Sequence, residues 1–507
     1  MKKNTPKVGP AVRSGPRRSP AHTTTMSHHH INPPPSPYDR IEAVHKELFQ
    51  QGQTATTSHM TLEILTQKVA ANEIDTVTVV FPDPLGRLVG KRFTAQNFLE
   101  TVATHGTHAC NYLLTVNMEM DPQDGYQVAN WDAGFGDFEM RPDLATLRPI
   151  PWLPGSAMVI CDFFHHDGKP VLEAPRTTLR RQLDALAKSD YTCAIASELE
   201  FFLYNTSYPD AWKGGYRNLV PCSEYRIDYH TMQPARDEPF FRAIRNQMQD
   251  ALIPIESSKG EWGRGQHEIN FVYNEPMTVA DRHVVFKQGI KEIAAQNGRA
   301  ITFMAKPDMN EPGNSCHIHI SLWRDGKNAF WDAARKKPSK LFRQFLGGLI
   351  KYSPEFCLFY APTINAYKRY QPGSWAPTRM AWSHDNRTVG FRVVGSGNSF
   401  RIENRMPGAD ANPYLAFSAM IAAGLAGIEE NLDAGDEYRG NAYIDPKLAA
   451  LPSSLEAAAA LLKKSRLARR AFTQGVIDYH LHTAELEVSA FNNSITDWEK
   501  FRYFERI

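Results

Sequence analysis

Charged residues recur at every second position in several strand-like segments of this 507-residue chain, a pattern that builds a polar wall against an apolar core. In Ser197-Glu198-Leu199-Glu200-Phe201 strand geometry sends Glu198 and Glu200 to one face and Leu199 and Phe201 to the other. Cys316 to Leu322 repeats the pattern, with His317, His319 and Ser321 opposed to Ile318, Ile320 and Leu322. Arg401, Glu403 and Arg405 form another row, and Glu261 and Glu268 bracket the turn Gly263-Arg264-Gly265. One such row alone reads as a half-exposed strand with a solvated face. Several of them, flanked by apolar runs, predict convergence on one cavity. Gathered carboxylates raise one another's pKa and oppose folding unless cations offset them, and glutamate oxygens with a histidine suit Mg²⁺ or Mn²⁺. Two divalent ions are the expectation.

A second series, Arg369, Arg387, Arg392, Arg401 and Arg405, is interleaved with the same segments. Guanidinium forks bind carboxylate and phosphate bidentately. A single arginine reads as solvated surface, but Trp375, Trp382, Phe391, Val393 and Val394 nearby argue for partial burial. Glutamates for metal and arginines for anions describe a phosphoryl-transfer site. Competing chemistries lack their motifs: there is no GxxxxGK[ST] loop and no HExxH, and Gly395-Ser396-Gly397 lacks the third glycine of a dinucleotide turn. Cys316 and His317 are adjacent, so on a strand they face opposite ways and cannot pair as nucleophile and base.

Composition narrows the class further. With 42% hydrophobic and 22% charged residues and a net charge of +2, the chain reads as an ordinary globular protein without a nucleic-acid footprint. The most apolar stretch, Leu415 to Ile428, is too short and too interrupted by Gly and Ser to span a bilayer. Cys110, Cys161, Cys193, Cys222, Cys316 and Cys357 are far apart in sequence and read as reduced thiols of a cytoplasmic enzyme. From Met1 to Pro37 the chain has eight prolines, six Lys/Arg and no acid, a composition that predicts a disordered extension. A helix is expected near Thr61 to Asn72, then a hairpin of Thr76 to Phe81 and Arg87 to Phe93 around Asp83-Pro84-Leu85-Gly86. The proline-rich segment Arg141 to Ala174 reads as a connection to a larger domain.

In their order, Ser197-Glu198-Leu199-Glu200-Phe201, Gly265-Gln266-His267-Glu268, Asn314-Ser315-Cys316-His317-Ile318-His319, Asn386-Arg387-Thr388, Arg401-Ile402-Glu403-Asn404-Arg405 and Asn412-Pro413-Tyr414 resemble the glutamine synthetase family, class I branch, from about Thr61 onward. After an extension over 1–59 expected to be disordered from its composition, the resemblance implies an α+β fold: a small β-grasp domain over 60–163, and over 164–507 a catalytic domain with a curved antiparallel sheet flanked by helices. It implies a homo-oligomeric ring, a dodecamer, with sites between neighbouring subunits. By motif, Glu200, Glu261 and Glu268 would hold one metal and Glu198, His317 and Glu403 the other. Arg369 and Arg405 would grip glutamate beside Gly313. Arg387, Arg392 and Arg401 would hold the phosphates of ATP, His319 and Ser321 would touch nucleotide, and Tyr273 would lie near adenine. Asp83 matches the aspartate that helps deprotonate the amine in a neighbouring subunit's site, and Glu261 is a second base candidate. The implied reaction phosphorylates the γ-carboxylate of glutamate from ATP, after which an amine displaces phosphate.

One loop departs from the family pattern. Ammonia-using members carry a glutamate in Pro-Gly-x-Glu-Ala-Pro, whereas here Pro372-Gly373-Ser374-Trp375-Ala376-Pro377 stands. An indole cannot act as a base, but its face can hold an ammonium group by cation–π attraction. The change resembles the γ-glutamylpolyamine, γ-glutamylethanolamide and γ-glutamylalkylamide synthetases, and predicts an organic amine in place of ammonia. Two other readings stay open: an ammonia-using enzyme in which Trp375 is loop packing, and a non-catalytic structural or binding relative. The latter expects decayed metal ligands, whereas all six are present. The family's adenylylated tyrosine loop, Asn-Leu-Tyr-Asp-Leu-Pro, is degraded here to Asn441-Ala442-Tyr443-Ile444-Asp445-Pro446.

Overall fold

The structure is a computed structural model and describes residues 60–507; the expected extension over 1–59 lies outside the described residues. A helix, Leu62–Ala70, is capped by the Thr61 hydroxyl, which accepts from the Ile64 N–H. The hairpin expected next is present as β1 (Thr76–Pro82) and β2 (Leu88–Thr94), paired antiparallel from Thr76↔Thr94 to Pro82↔Leu88. With β3 (Thr107–Cys110), β4 (Asp137–Pro149) and β5 (Ser156–Phe164) they form one sheet in the order β2-β1-β5-β4-β3. Leu65, Val77, Val79, Phe98, Phe138, Val159 and Phe163 are its core.

The reading of Arg141 to Ala174 as a connection is corrected by the structure, because most of it is strand. Two of the prolines that suggested a linker are compatible with β4. Pro142 lies beyond the stretch that β3 covers, Asp137 to Met140, so no ladder bond is lost there. Pro149 ends the strand, after a register shift between Asp143 and Arg148. Pro151 and Pro154 occupy the turn into β5.

The second sheet is built on β6 (Thr192–Tyr204), β7 (Ile255–Gly260), β8 (Gln266–Phe271), β9 (Ala300–Thr302) and β10 (Cys316–Arg324), the last extended by the short β11 (Lys327–Asn328). A small ribbon of β12 (Trp331–Asp332) and β13 (Lys337–Pro338) precedes β14 (Trp382–His384), β15 (Phe391–Val394) and β16 (Arg401–Asn404). The path is β14-β15-β16-β10-β6-β8-β7, antiparallel except for the parallel β14–β15 pair. Leu199, Ile318, Ile320 and Ile402 are buried in a core shared with the helices Pro276–Gln296, Lys340–Tyr352 and Pro413–Glu429. The last two helices touch through glycine: a Cβ at Gly348 would sit 2.1 Å from the Ala423 carbonyl. Mixed helix and curved sheet make this the expected α+β class. Among the described residues no helix is long and apolar enough to cross a membrane.

Buried charge ties the first sheet to helices that pack on the second. Arg176, on the helix Pro175–Ala187, reaches Asp143 at 2.9 Å, Asp162 at 2.6 Å and Asp281 at 2.9 Å. Burial opposes its charge, but these carboxylates hold its pKa well above the usual arginine value.

Candidate active site

Strand register brings the predicted residues together. His317 lies opposite Glu198 across β10–β6, and Glu200 lies opposite Glu268 across β6–β8. His319 lies opposite Glu403 across β10–β16, and Arg392 opposite Glu403 across β15–β16. Since paired residues project to the same face, five strands contribute side chains to one polar wall. Cys316 turns the other way, with Sγ 3.5 Å from Ser197 Oγ, so the pair with His317 is absent, as the alternation requires. All six cysteines are free.

Glu200, Glu261 and Glu268 converge, one oxygen of each lying within 4.8 Å of the others. Glu261 is placed by the turn that follows β7, where its N–H donates to the Gln266 carbonyl at 2.8 Å. Gly265 takes φ +75° there, and a Cβ would fall 2.9 Å from the Leu203 carbonyl. Burial and the neighbouring Glu261 push Glu200 up to about 8. Burial, with Glu198 and Glu261, pushes Glu268 up to about 10. Lys259, directly opposite Glu268 in register, bonds the Glu261 carboxylate. Burial opposes the lysine's charge, but Glu268 and Glu261 raise its pKa above the ordinary value. Two carboxylates pushed toward their protonated forms, convergent with a third that draws in an ammonium group, are what a divalent cation would satisfy, so the residues fit the expected metal.

A second group forms around His317. Its Nδ1 lies 2.9 Å from Glu198 Oε1 and 3.6 Å from Glu403 Oε1, and its buried Nε2 has no partner. His319 Nε2 is 3.4 Å from Glu198 Oε2, while Arg401 Nε donates to His319 Nδ1 at 3.2 Å. That donation makes Nδ1 the acceptor and leaves the proton on Nε2, directed at Glu198. Glu403 is held by Arg405 at 2.5 Å and Arg392 at 2.9 Å. Burial opposes its charge, yet Arg405 and His317 bring it down to about 2. Burial likewise works against Glu198, but the histidine hydrogen bonds hold it well below the carboxylate range. This donor set, two ionised carboxylates facing an imidazole nitrogen, also fits a divalent ion.

The arginines divide. Arg369 is buried, with Nη1 donating to the Met406 carbonyl at 2.9 Å and Nη2 to Ser315 Oγ at 3.0 Å. Gly313 packs on it so closely that a Cβ would sit 2.3 Å from Arg369 Cγ. Nε of Arg369 and Nε of Arg405 are both buried and unpaired, which marks them as donors open to an anion. Arg392 also bonds Asp385 at 2.5 Å. Arg387 stays exposed before β15, close enough to Asp385 to help lower its pKa, after the larger effect of Arg392. Ser321 Oγ accepts from Trp323 Nε1 at 2.9 Å. Burial and Glu256 raise the pKa of the Tyr273 phenol, against the lowering effect of Arg401.

Asp83 is placed elsewhere. It is 0% exposed; Oδ1 accepts from the N–H of Leu85 at 3.0 Å and of Arg87 at 2.8 Å, and Oδ2 meets Arg87 Nε at 2.6 Å. Asn412 Nδ2 donates to the Pro84 carbonyl at 3.0 Å, packing the turn on its own chain. A carboxylate so committed organises the hairpin, and the structure does not gather it with the metal-face carboxylates of the same chain.

Several participants escaped the sequence reading. Gln266 Nε2 donates to the Gly313 carbonyl and to Asn314 Oδ1, both at 3.0 Å. Lys259 stands two residues before Glu261, at the end of β7, a period-two signal that was available. Trp262 meets Trp375 edge-on, centroids 6.4 Å apart at 74°, a contact no spacing reveals. Trp375 is 49% exposed, adopts φ +66°, and its carbonyl accepts from Arg405 Nη2 at 3.3 Å. Tyr443, of the degraded tyrosine loop, has its hydroxyl buried; burial raises its pKa, while Arg405 and Arg369 lower it.

Residues 172–503 match the glutamine synthetase catalytic domain. The chain belongs to the glutamine synthetase family. Within that family it is 50% identical over 452 residues, 89% of this chain and 97% of the relative, to the gamma-glutamylethanolamide synthetase GlnA4 of Streptomyces coelicolor. It is 36% identical to the glutamate–isopropylamine ligase of a Pseudomonas species, over 87% of this chain and 97% of that one. The solved structure of GmaS in complex with ADP superposes with a TM-score of 0.76 at 27% identity, covering 87% of this chain and 99% of that chain. The family places the chain among ATP-dependent carbon–nitrogen ligases, so the reading as a non-catalytic relative is not favoured.

Proposed function

We propose that this ligase joins the γ-carboxylate of glutamate to a primary organic amine, using ATP and two divalent ions, Mg²⁺ or Mn²⁺. The observation that carries the choice of amine is the indole pair Trp262–Trp375, set between Glu261 and Arg405 where an ammonium site needs a carboxylate. A small hydrated ion gains little from such a wall, whereas an alkyl or hydroxyalkyl amine buries its carbons there at about 25 cal/mol per Å². The names of the ethanolamide- and isopropylamide-forming relatives support the same choice.

In this reading Arg369 and Arg405 orient glutamate against Gly313, and Arg387, Arg392 and Arg401 hold the phosphates, with His319, Ser321 and Tyr273 on the nucleotide side. Glu200, Glu261 and Glu268 would hold one metal and Glu198, His317 and Glu403 the other; bound there, they neutralise charge on the phosphoryl oxygens. The glutamate γ-oxygen attacks the terminal phosphorus and ADP leaves. The amine nitrogen then attacks the acyl phosphate carbon and phosphate leaves. Glu261, half-buried beside the indoles, takes the amine proton; Asp83 could serve only by leaving its turn contacts. The same reading takes the enzyme as cytoplasmic, where ATP and glutamate are at hand, and, by resemblance to the family, as a ring-shaped homo-oligomer, a dodecamer.

The test is phosphate release with ATP, Mg²⁺, glutamate and a panel of ammonia, ethanolamine, isopropylamine, putrescine and spermidine, with products identified by mass. A γ-glutamyl amide of an organic amine is expected as the preferred product. Glutamine formation from ammonia at equal or greater kcat/KM would overturn the reading.

A further inference from the structure

Arg226 stacks on Trp262, with its guanidinium carbon 3.7 Å from the ring centroid and Nη1 donating to the Trp262 carbonyl at 3.3 Å. Both residues are exposed, Trp262 at 40%. Among the described residues no carboxylate lies within 4.0 Å of the Arg226 guanidinium; nearby Glu224 is taken by Arg236 at 2.8 Å. An uncompensated positive charge is thus fixed on the indole that follows Glu261. Lys259, beside Glu261, is by contrast compensated: its ammonium bonds Glu261 and lies 3.6 Å from Asp228, so Arg226 is the cation left free to act on a bound tail.

Resting on the amine-ligase reading, the geometry points to Arg226 as a specificity-determining charge filter that admits amines with a neutral tail and turns away diamines and polyamines. The reacting nitrogen must lie at the inner end of the indole wall, next to Glu261 and the glutamate arginines. The tail then runs outward along Trp375 and Trp262 and meets Arg226. A methyl or hydroxyl group packs there without electrostatic cost. A second ammonium meets a like charge at the solvent-facing rim, where repulsion at several ångströms is worth up to about tenfold in binding. Stacking also occupies one face of the Trp262 ring, which removes it as a cation–π site for the tail.

The matched pair 4-amino-1-butanol and putrescine differs only in a terminal hydroxyl against an ammonium. Their kcat/KM ratio is measured for the full-length parent, Arg226→Gln and Arg226→Glu, each at low and high salt. The parent is expected to favour the aminoalcohol by up to about tenfold, Arg226→Gln to narrow the ratio, and Arg226→Glu to reverse it. The parent's ratio should shrink as salt rises, because exposed charges are screened; a residue that merely steadies the Trp262 ring would show no such dependence. Equal use of the two amines by the parent, an unchanged ratio in Arg226→Glu, or a ratio indifferent to salt would overturn the filter. If both organic amines lose to ammonia, the amine-ligase reading falls and takes the filter with it.

Discussion

Lys259 stands directly opposite Glu268 on the β7–β8 ladder and its ammonium bonds Glu261, so a side-chain cation leans into the carboxylate trio that also contains Glu200. In the metal-free protein it offsets charge that burial would otherwise make costly. Lys259→Met should lower the melting temperature in chelator, by an amount corresponding to about 1–3 kcal/mol. Saturating Mg²⁺ should shrink that deficit, since a divalent ion then supplies the charge. Thermal scans with and without metal check both statements, and an equal deficit in the two conditions would count against the arrangement.

Glu200 is buried and pushed up to about 8 by burial and by Glu261. Glu200→Ala should remove turnover while leaving the chelated protein at least as stable as the parent, because one member of a repelling set is gone. Phosphate release and circular dichroism melting are the measurements. A fully active variant would falsify the metal assignment.

Arg405 joins Glu403 through Nη1, the Trp375 carbonyl through Nη2, and leaves Nε unpaired. Lysine keeps the charge but not the fork. Arg405→Lys should cost about 1.5–3 kcal/mol of glutamate binding, a rise in glutamate KM of roughly ten- to hundredfold. A parental KM would remove Arg405 from glutamate recognition.

Trp375→Glu restores a carboxylate to the loop Pro372–Pro377. Ammonia-dependent glutamine formation should rise and turnover with the preferred organic amine should fall. Trp375→Gly provides a separate readout, since φ +66° costs a non-glycine residue about 1–2 kcal/mol. It should lose amine preference while gaining or keeping thermal stability. An unchanged ratio of amide to glutamine in Trp375→Glu would sink the role given to the indole.

Lys287 is buried, donates to the Ala409 carbonyl at 2.6 Å, and is brought down to about 8 by burial and Lys291. Between about pH 8 and the unfolded value of about 10.5 the unfolded chain binds more protons than the folded one. Stability therefore rises with pH across that window, and the burial penalty is fully present below it. Lys287→Met should be more stable than the parent at pH 7.5, with the gap closing toward pH 10. Melting temperatures of the two proteins at both pH values decide it; a gap that widens with pH contradicts the assignment.

Period-two alternation was sufficient, by itself, to put Glu198 with Glu200, His317 with His319, and Arg401 with Glu403 on polar faces, because a strand leaves side chains only two directions. The same logic separated Cys316 from His317 and found the β1–β2 hairpin from its turn residues. Proline content misled over Arg141 to Ala174, since whether a proline breaks a strand depends on which neighbour its missing N–H would have bonded, and pairing is not local. Convergence was a matter for the tertiary structure. Only the strand order β15-β16-β10-β6-β8-β7 brings the rows from distant parts of the chain side by side and sets which carboxylates repel, which meet a histidine, and which meet an arginine. Asp83 shows the same division: the sequence marks it as an acid in a turn, but the packing that closes Arg87 over it decides where its lone pairs go. Trp262, Trp375 and Arg226 come from three separate loops, and no spacing rule links residues whose only relation is contact through space.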